Sequence, residues 1–108
     1  MICLTVLYGQ PTNLAEFDRY YKETHLPLAV KIPGLKGYTL DRPKPLNPSD
    51  TSPYHLIACL YFDSLAAMQA GFASSEGQAA AGDVPNFATG GATLLADEQE
   101  IVMPFSRG

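Results

Sequence analysis

The residue best suited to chemistry in this chain is His25. An imidazole titrates near neutral pH and can take up or release a proton there. At 100° per residue His25 falls just beside the apolar stripe of its segment, next to Tyr21 and Leu14 and in line with Asp18. Pro27 follows it closely, lacks an N–H and crowds the preceding turn, so the helix is predicted to kink or loosen over residues 24–26. Two roles fit this position: a proton-transfer group facing a pocket, or a cap on the backbone carbonyls that Pro27 leaves free. His55, beside Pro53 and Tyr54 at the start of a strand, is expected at the surface or on a rim.

Working alone, an imidazole of ordinary pKa, about 6.5, needs a substrate with an acidic C–H beside a carbonyl, or a phenol. Tyrosines could then donate hydrogen bonds to a developing enolate. The chain has 6 tyrosines and no Trp, and a tyrosine, with an apolar ring and a polar tip, suits the wall of a small-molecule pocket. Tyr21, one turn before His25, is the first candidate for substrate binding. Tyr61 is the second, because a ferredoxin-like crossover brings the end of the third strand towards the end of the first helix.

Other chemistries find little support. The two histidines have no third ligand in an HxxxH or HExxH spacing. No GxSxG elbow exists, and neither Cys3 nor Cys59 has a histidine partner in sequence. Gly90-Gly91 lacks the companions of a phosphate loop. No metal and no cofactor are expected, and the two cysteines read as packed thiols in a reducing cytoplasm.

The elements that must position these residues alternate in type. Residues 2–8 (ICLTVLY) are β-branched and aromatic and stop at Gly9-Gln10-Pro11, a strand and a turn. Asn13 with Glu16 three residues on is a variant capping box, opening a helix whose expected inner face is Leu14, Phe17, Tyr21, Thr24 and Leu28. Pro33-Gly34 ends that region, and residues 35–41 form a second strand. Residues 42–53 (RPKPLNPSDTSP) make a stiff, proline-rich loop. Residues 55–62 (HLIACLYF) are the strongest strand. Asp63 or Ser64 caps a second helix with Leu65, Met68 and Phe72 on one face, and Ser75 with Gln78 opens a further helical turn through Ala81. Residues 83–93 are irregular, and a last strand is expected over 94–103, interrupted by Asp97-Glu98. The order β-α-β-β-α-β predicts a single α+β domain over residues 1–108: a ferredoxin-like four-stranded antiparallel sheet with two helices on one face.

Residues 55–62 also predict a partner. In a sheet half-open to water, apolar and polar residues alternate. Here Leu56, Ala58, Leu60 and Phe62 point one way, while Ile57, Cys59 and Tyr61 point the other. Two short helices cover one face only, and exposed apolar patches of that size are avoided. The expected solution is a homodimer, sheet against sheet.

The 108 residues are 46% hydrophobic and 17% charged, enough apolar material for one core. Net charge is −4, with 7 basic and 11 acidic residues and no basic cluster, which argues against a nucleic-acid partner. No signal peptide and no membrane span are read from the apolar runs, so a cytoplasmic location is expected.

The segments LTVLYGQP, FDRYYKETHLPLAVKIPGL, YHLIACLYFDS and SSEGQAAAGDVPNFATGG together resemble the EthD family, named for a protein of ethyl tert-butyl ether degradation. The likeness runs from Leu4 to about Leu95. Its most specific parts are Phe17-Asp18 through Tyr21 to the H-x-P-L motif at His25, and Ser75-Glu76-Gly77-Gln78. The resemblance implies a dimeric α+β barrel, a catabolic setting beside ether-degrading oxygenases, and a functional role for His25. Cys3 stands where the family leads one to expect a more polar residue. Three functions stay open on this resemblance. One is a cofactor-free lyase, isomerase or cyclase acting on a small aromatic or ketone-bearing metabolite. Another is a non-catalytic accessory protein that binds such a metabolite. The third is a haem- or oxygen-using enzyme with His25 as the axial ligand.

Overall fold

Two central strands of alternating character organise the chain, and the computed structural model describes residues 1–106. Strand β1 (Ile2–Gly9) lies between β3 (Tyr54–Phe62) and β4 (Ala92–Glu98), and β2 (Gly37–Asp41) pairs with the far side of β3. All pairings are antiparallel, in the order β2-β3-β1-β4. Val6 stands opposite Ala58 and Leu94, and Tyr8 opposite Leu56 and Ala92. Residues that share a register share a face. Ile2, Leu4, Val6 and Tyr8 therefore join Leu56, Ala58, Leu60, Phe62 and Tyr38 on one side, and this side carries the core.

That face is covered by helices. Helix α1 (Leu14–Tyr20) is capped by Asn13, whose Oδ1 accepts the Glu16 N–H at 3.0 Å. A π-helical turn (Tyr21–His25) follows, then α2 (Leu26–Ala29). After β3, Ser64 caps α3 (Leu65–Ala73) by accepting the Ala67 N–H. Helix α4 (Ser75–Asp83) is capped by Ser74 rather than Ser75 and runs past Ala81 to Asp83. The Ser74 hydroxyl accepts the Gly77 N–H at 3.0 Å, while the Gln78 side chain reaches Ala73 O instead of closing a box on Ser75. Gly77 is needed there because a Cβ would fall on the Gly71 carbonyl, and Gly71 itself lies against the Pro33 carbonyl. The α3–α4 corner is thus a backbone-to-backbone contact.

The last strand differs from the sequence expectation at both ends. It begins at Ala92 and stops at Glu98, and Asp97 does not interrupt it. Asp97 pairs opposite Cys3 and accepts the Thr5 hydroxyl at 2.6 Å, so the carboxylate is tied across the strands rather than expelled. Ile101, Val102, Met103 and Phe105 lie outside the sheet and are exposed.

The opposite face of the sheet carries Thr5, Leu7, Ile57, Cys59, Tyr61 and Leu95, and among the described residues no helix lies over it. The two-sided apolar character of β3 expected from sequence is present: Leu56 to Phe62 alternate between fully buried and half-buried positions. Among the described residues no helix is long and apolar enough to cross a membrane.

Candidate functional site

The loosening expected near Pro27 takes a definite form. Leu26 N–H donates to the Tyr21 carbonyl, five residues back, so one extra residue is accommodated in the turn that ends at His25. The inserted residue moves the buried stripe. Phe17, Tyr21, His25 and Ala29 face the core, whereas Thr24 is exposed and Leu14 is 50% exposed. Regular α-helical spacing had placed Leu14 and Thr24 on the inner face and His25 at its edge. The wide turn carries His25 inward, to 4% exposure.

Inside, the ring is held from one side. Nδ1 of His25 lies 3.0 Å from Oδ2 of Asp83, the last residue of α4. The other carboxylate oxygen, Oδ1, accepts the Tyr20 hydroxyl at 2.6 Å and the Asn86 side-chain N–H at 3.0 Å. Asp83 is itself 7% exposed. Burial alone would push its carboxyl up, but hydrogen bonds from Tyr20, Asn86 and His25 outweigh that and hold it below its ordinary range. Burial pushes the His25 imidazole down, with Asp83 pulling the other way, and the net direction is down. At neutral pH the pair is thus a carboxylate and a neutral imidazole whose Nδ1–H donates to Asp83. The lone pair is left on Nε2. Among the described residues no buried polar side-chain atom lacks a partner. Nε2 has none, so it is the accessible edge of the ring.

His25 lines a cavity of about 260 Å³ between the sheet and the helices. Its wall includes Val6, Tyr8, Tyr38 and Leu60 from the sheet and His25 and Ala80 from the helical layer. Its polar side chains are His25, Tyr8 and Tyr38, in a lining that is otherwise aliphatic and aromatic. Phe87 closes on the imidazole with ring centroids 4.7 Å apart.

The sequence-predicted site residues are only partly brought together. Tyr21 is buried directly behind the wall. Its ring is 5.1 Å from that of His25, and its hydroxyl is 2.6 Å from the Tyr38 hydroxyl. It reaches the cavity through its neighbours and does not border it. Tyr61 does not approach His25. Its Cα pairs with Cys3 and Gly37, and its hydroxyl environment is Thr39, Cys3, Cys59 and Asp41, all on the helix-free face. The period of two turns residue 61 away from the cavity, whereas Leu60 turns towards it. His25 is not a cap for the carbonyls near Pro27, since its Nδ1 is engaged by Asp83. His55 forms a separate, rim-like cluster: its Nε2 is 2.8 Å from Asp18 Oδ1, which also accepts Arg42, and its ring meets Phe17 edge-on.

Asp83, Tyr20, Asn86, Tyr8 and Tyr38 were not singled out by sequence reasoning. Asp83 and Asn86 lie in GDVPNF, where the one signal is an acid closing an Ala-rich helix just before Pro85. A separation of 58 positions between Asp83 and His25 hides their meeting from any local pattern.

This sheet, its helical layer and the cavity between them define a ferredoxin-like α+β protein. The chain belongs to the EthD family: residues 9–91 match the EthD domain. It is 42% identical over 104 residues, 96% of this chain and all of the relative, to an uncharacterized 11.0 kDa protein in the thcB-thcC intergenic region of Rhodococcus erythropolis. The crystal structure of an ethyl tert-butyl ether degradation (EthD) family protein from Bacillus halodurans superposes with a TM-score of 0.86 at 34% identity, covering 93% of this chain and 99% of the other. A dimeric ferredoxin-like protein of unknown function from Thermobifida fusca shares the fold alone, with a TM-score of 0.66 at 15% identity over 91% of this chain and 90% of that one.

Proposed function

We propose that this EthD protein binds a small apolar or aromatic metabolite in the cavity between sheet and helices, and that His25, oriented by Asp83, transfers a proton on it without a cofactor. The observation that carries this reading is the 3.0 Å contact between His25 Nδ1 and Asp83 Oδ2, which leaves Nε2 as the free base at the cavity wall. A buried carboxylate behind an imidazole selects its tautomer and stabilises the imidazolium that forms when Nε2 takes a proton. The lowered His25 pKa keeps the ring unprotonated, and so competent as a base, at neutral pH. Such a site suits isomerisation, cyclisation or elimination.

The same reading includes a homodimer built through the helix-free face. Leu7, Ile57 and Leu95 lie there with Cys59 and Tyr61, and a second copy is the partner whose surface matches by symmetry. A cytoplasmic, catabolic setting accords with the family.

The test is a set of candidate apolar ketones and phenols offered to wild-type protein and to His25→Gln, with binding and turnover measured separately. Loss of a positioned general base costs roughly 10²- to 10⁴-fold in rate, so turnover should fall by at least the lower figure while binding persists. Ligands bound at micromolar affinity with no turnover in wild type would establish an accessory binding protein instead.

A further inference from the structure

The proton-transfer reading leaves Tyr38 and Tyr21 without a role, and their geometry is not that of ordinary core tyrosines. Their hydroxyls lie 2.6 Å apart. Tyr38 borders the cavity, while Tyr21 is enclosed behind it by Tyr8, Phe17, Phe87 and His25. Two hydroxyls carry two hydrogens, and one link between them uses only one. The Tyr21 hydroxyl also has Tyr8 as a hydrogen-bond neighbour. Of the arrangements open to the three hydroxyls, the one that serves a ligand has Tyr21 donating to Tyr38 and Tyr38 turning its own hydrogen into the cavity. Donation from Tyr21 also polarises the Tyr38 O–H and strengthens it as a donor.

We infer that Tyr38, held by Tyr21, is an oxyanion donor on the cavity wall, and that the ligand is an enolisable apolar ketone with its carbonyl oxygen on Tyr38 and its acidic C–H at His25. Deepening the proposed function, this inference rests on His25 as the proton-transfer group. Tyr21 packs its ring on His25 and its hydroxyl on Tyr38, so the base and the donor share one tyrosine as neighbour and line the same cavity. Tyr8, also on the wall with its ring 5.7 Å from that of Tyr21, is a second hydroxyl at the same end. Burial raises the phenols of Tyr8, Tyr21 and Tyr38, which keeps all three protonated as donors through neutral pH.

The step balances with no other reactant. The C–H bond beside the carbonyl breaks and its proton goes to Nε2 of His25. The released electron pair forms a C=C bond while the carbonyl π pair moves onto oxygen, where Tyr38 meets it. Nε2 then returns a proton to the same carbon or to a conjugated one. The first outcome is exchange and the second is isomerisation. Tyr38 is a catalytic residue in this scheme and Tyr21 a positioning residue.

The experiment uses 2-tetralone as probe with the full chain in deuterated buffer. Binding is followed by calorimetry, α-proton exchange by NMR, and the bound carbonyl stretch by infrared. Wild type should accelerate exchange and lower the stretching frequency. Tyr38→Phe should slow exchange by about 10²-fold or more, return the stretch towards its free value and leave the apparent KM within a few-fold. Tyr21→Phe should lower kcat more than it changes KM. Tyr38→Phe with wild-type exchange and an unshifted stretch, while His25→Gln abolishes exchange, would overturn the donor role and leave proton transfer standing. Tight binding with no exchange in wild type overturns both, and no binding removes the cavity assignment as well.

Discussion

Oδ2 of Asp83 stands 3.0 Å from Nδ1 of His25, although the two lie 58 positions apart in the chain. The other oxygen of that carboxylate is already occupied by two donors, Tyr20 and Asn86. Every polar contact of Asp83 is therefore an acceptance, and it has no proton to offer. The imidazole must present its N–H to Asp83, which leaves its lone pair on Nε2.

Replacing Asp83 with Asn should reverse that choice. Tyr20 and Asn86 both donate, so the amide oxygen is required on their side, and the amide N–H₂ must then face His25 Nδ1. Nδ1 becomes the acceptor and Nε2 carries the proton, which removes the base. Imidazole ¹⁵N shifts should show the bare nitrogen moving from ε2 to δ1, and turnover should fall to within a few-fold of His25→Gln. An unchanged tautomer in a folded Asp83→Asn protein would contradict the assigned role.

Acid should destabilise the protein in two stages. The folded-state pKa of His25 is depressed, so below the ordinary imidazole value the unfolded chain binds a proton that the folded chain does not. Stability then falls as pH drops from about 6.5. Asp83 is also depressed when folded, so its contribution is present above the usual carboxylate value and is lost on further acidification. Urea midpoints against pH should show both stages in wild type and only the lower one in His25→Gln. The acid limb of any catalytic pH profile should likewise lie below the free imidazole value.

Filling the cavity should separate binding from folding. Ala80 is buried on its wall, and Ala80→Leu adds apolar volume into open space. Each buried methylene contributes about 0.8 kcal/mol where it fits without strain. The melting temperature is expected to hold or rise while binding of apolar ligands weakens at least tenfold. Undiminished binding would move the site elsewhere.

The helix-free face should carry the dimer. Light scattering at micromolar concentration is expected to give twice the chain mass, and Ile57→Asp, which puts a charge at its centre, should give monomers. A wild-type chain that stays monomeric at that concentration would remove the barrel assembly.

Gly77→Ala should unfold the α3–α4 corner disproportionately to its size, because the added Cβ meets backbone at Gly71 rather than a movable side chain. A loss of about 1–3 kcal/mol in urea unfolding is expected, against almost nothing for Gly82→Ala, where a Cβ meets open space.

Much of this was legible in the residues themselves. The run HLIACLYF determines a strand with two apolar faces, because the period of two follows from backbone geometry alone. Asn13 starts its helix as read, and of the two caps open at Asp63 and Ser64 it is Ser64 that starts the next, since a cap needs only its own next three residues. Pro27 announces a disturbed helix for the same local reason. The size of the disturbance is a tertiary outcome. A wide turn and a regular turn both satisfy Pro27, and core packing selected the one that buries His25 with Phe17, Tyr21 and Ala29. Tyr61 shows the limit from the other side: its strand was read correctly, yet its alternation places it on the helix-free face. Asp83 was invisible for a deeper reason. A contact between the end of one helix and the turn of another has no sequence period, so Asp83 became the partner of His25 and Tyr20 only when the sheet brought the two helices together over its buried face.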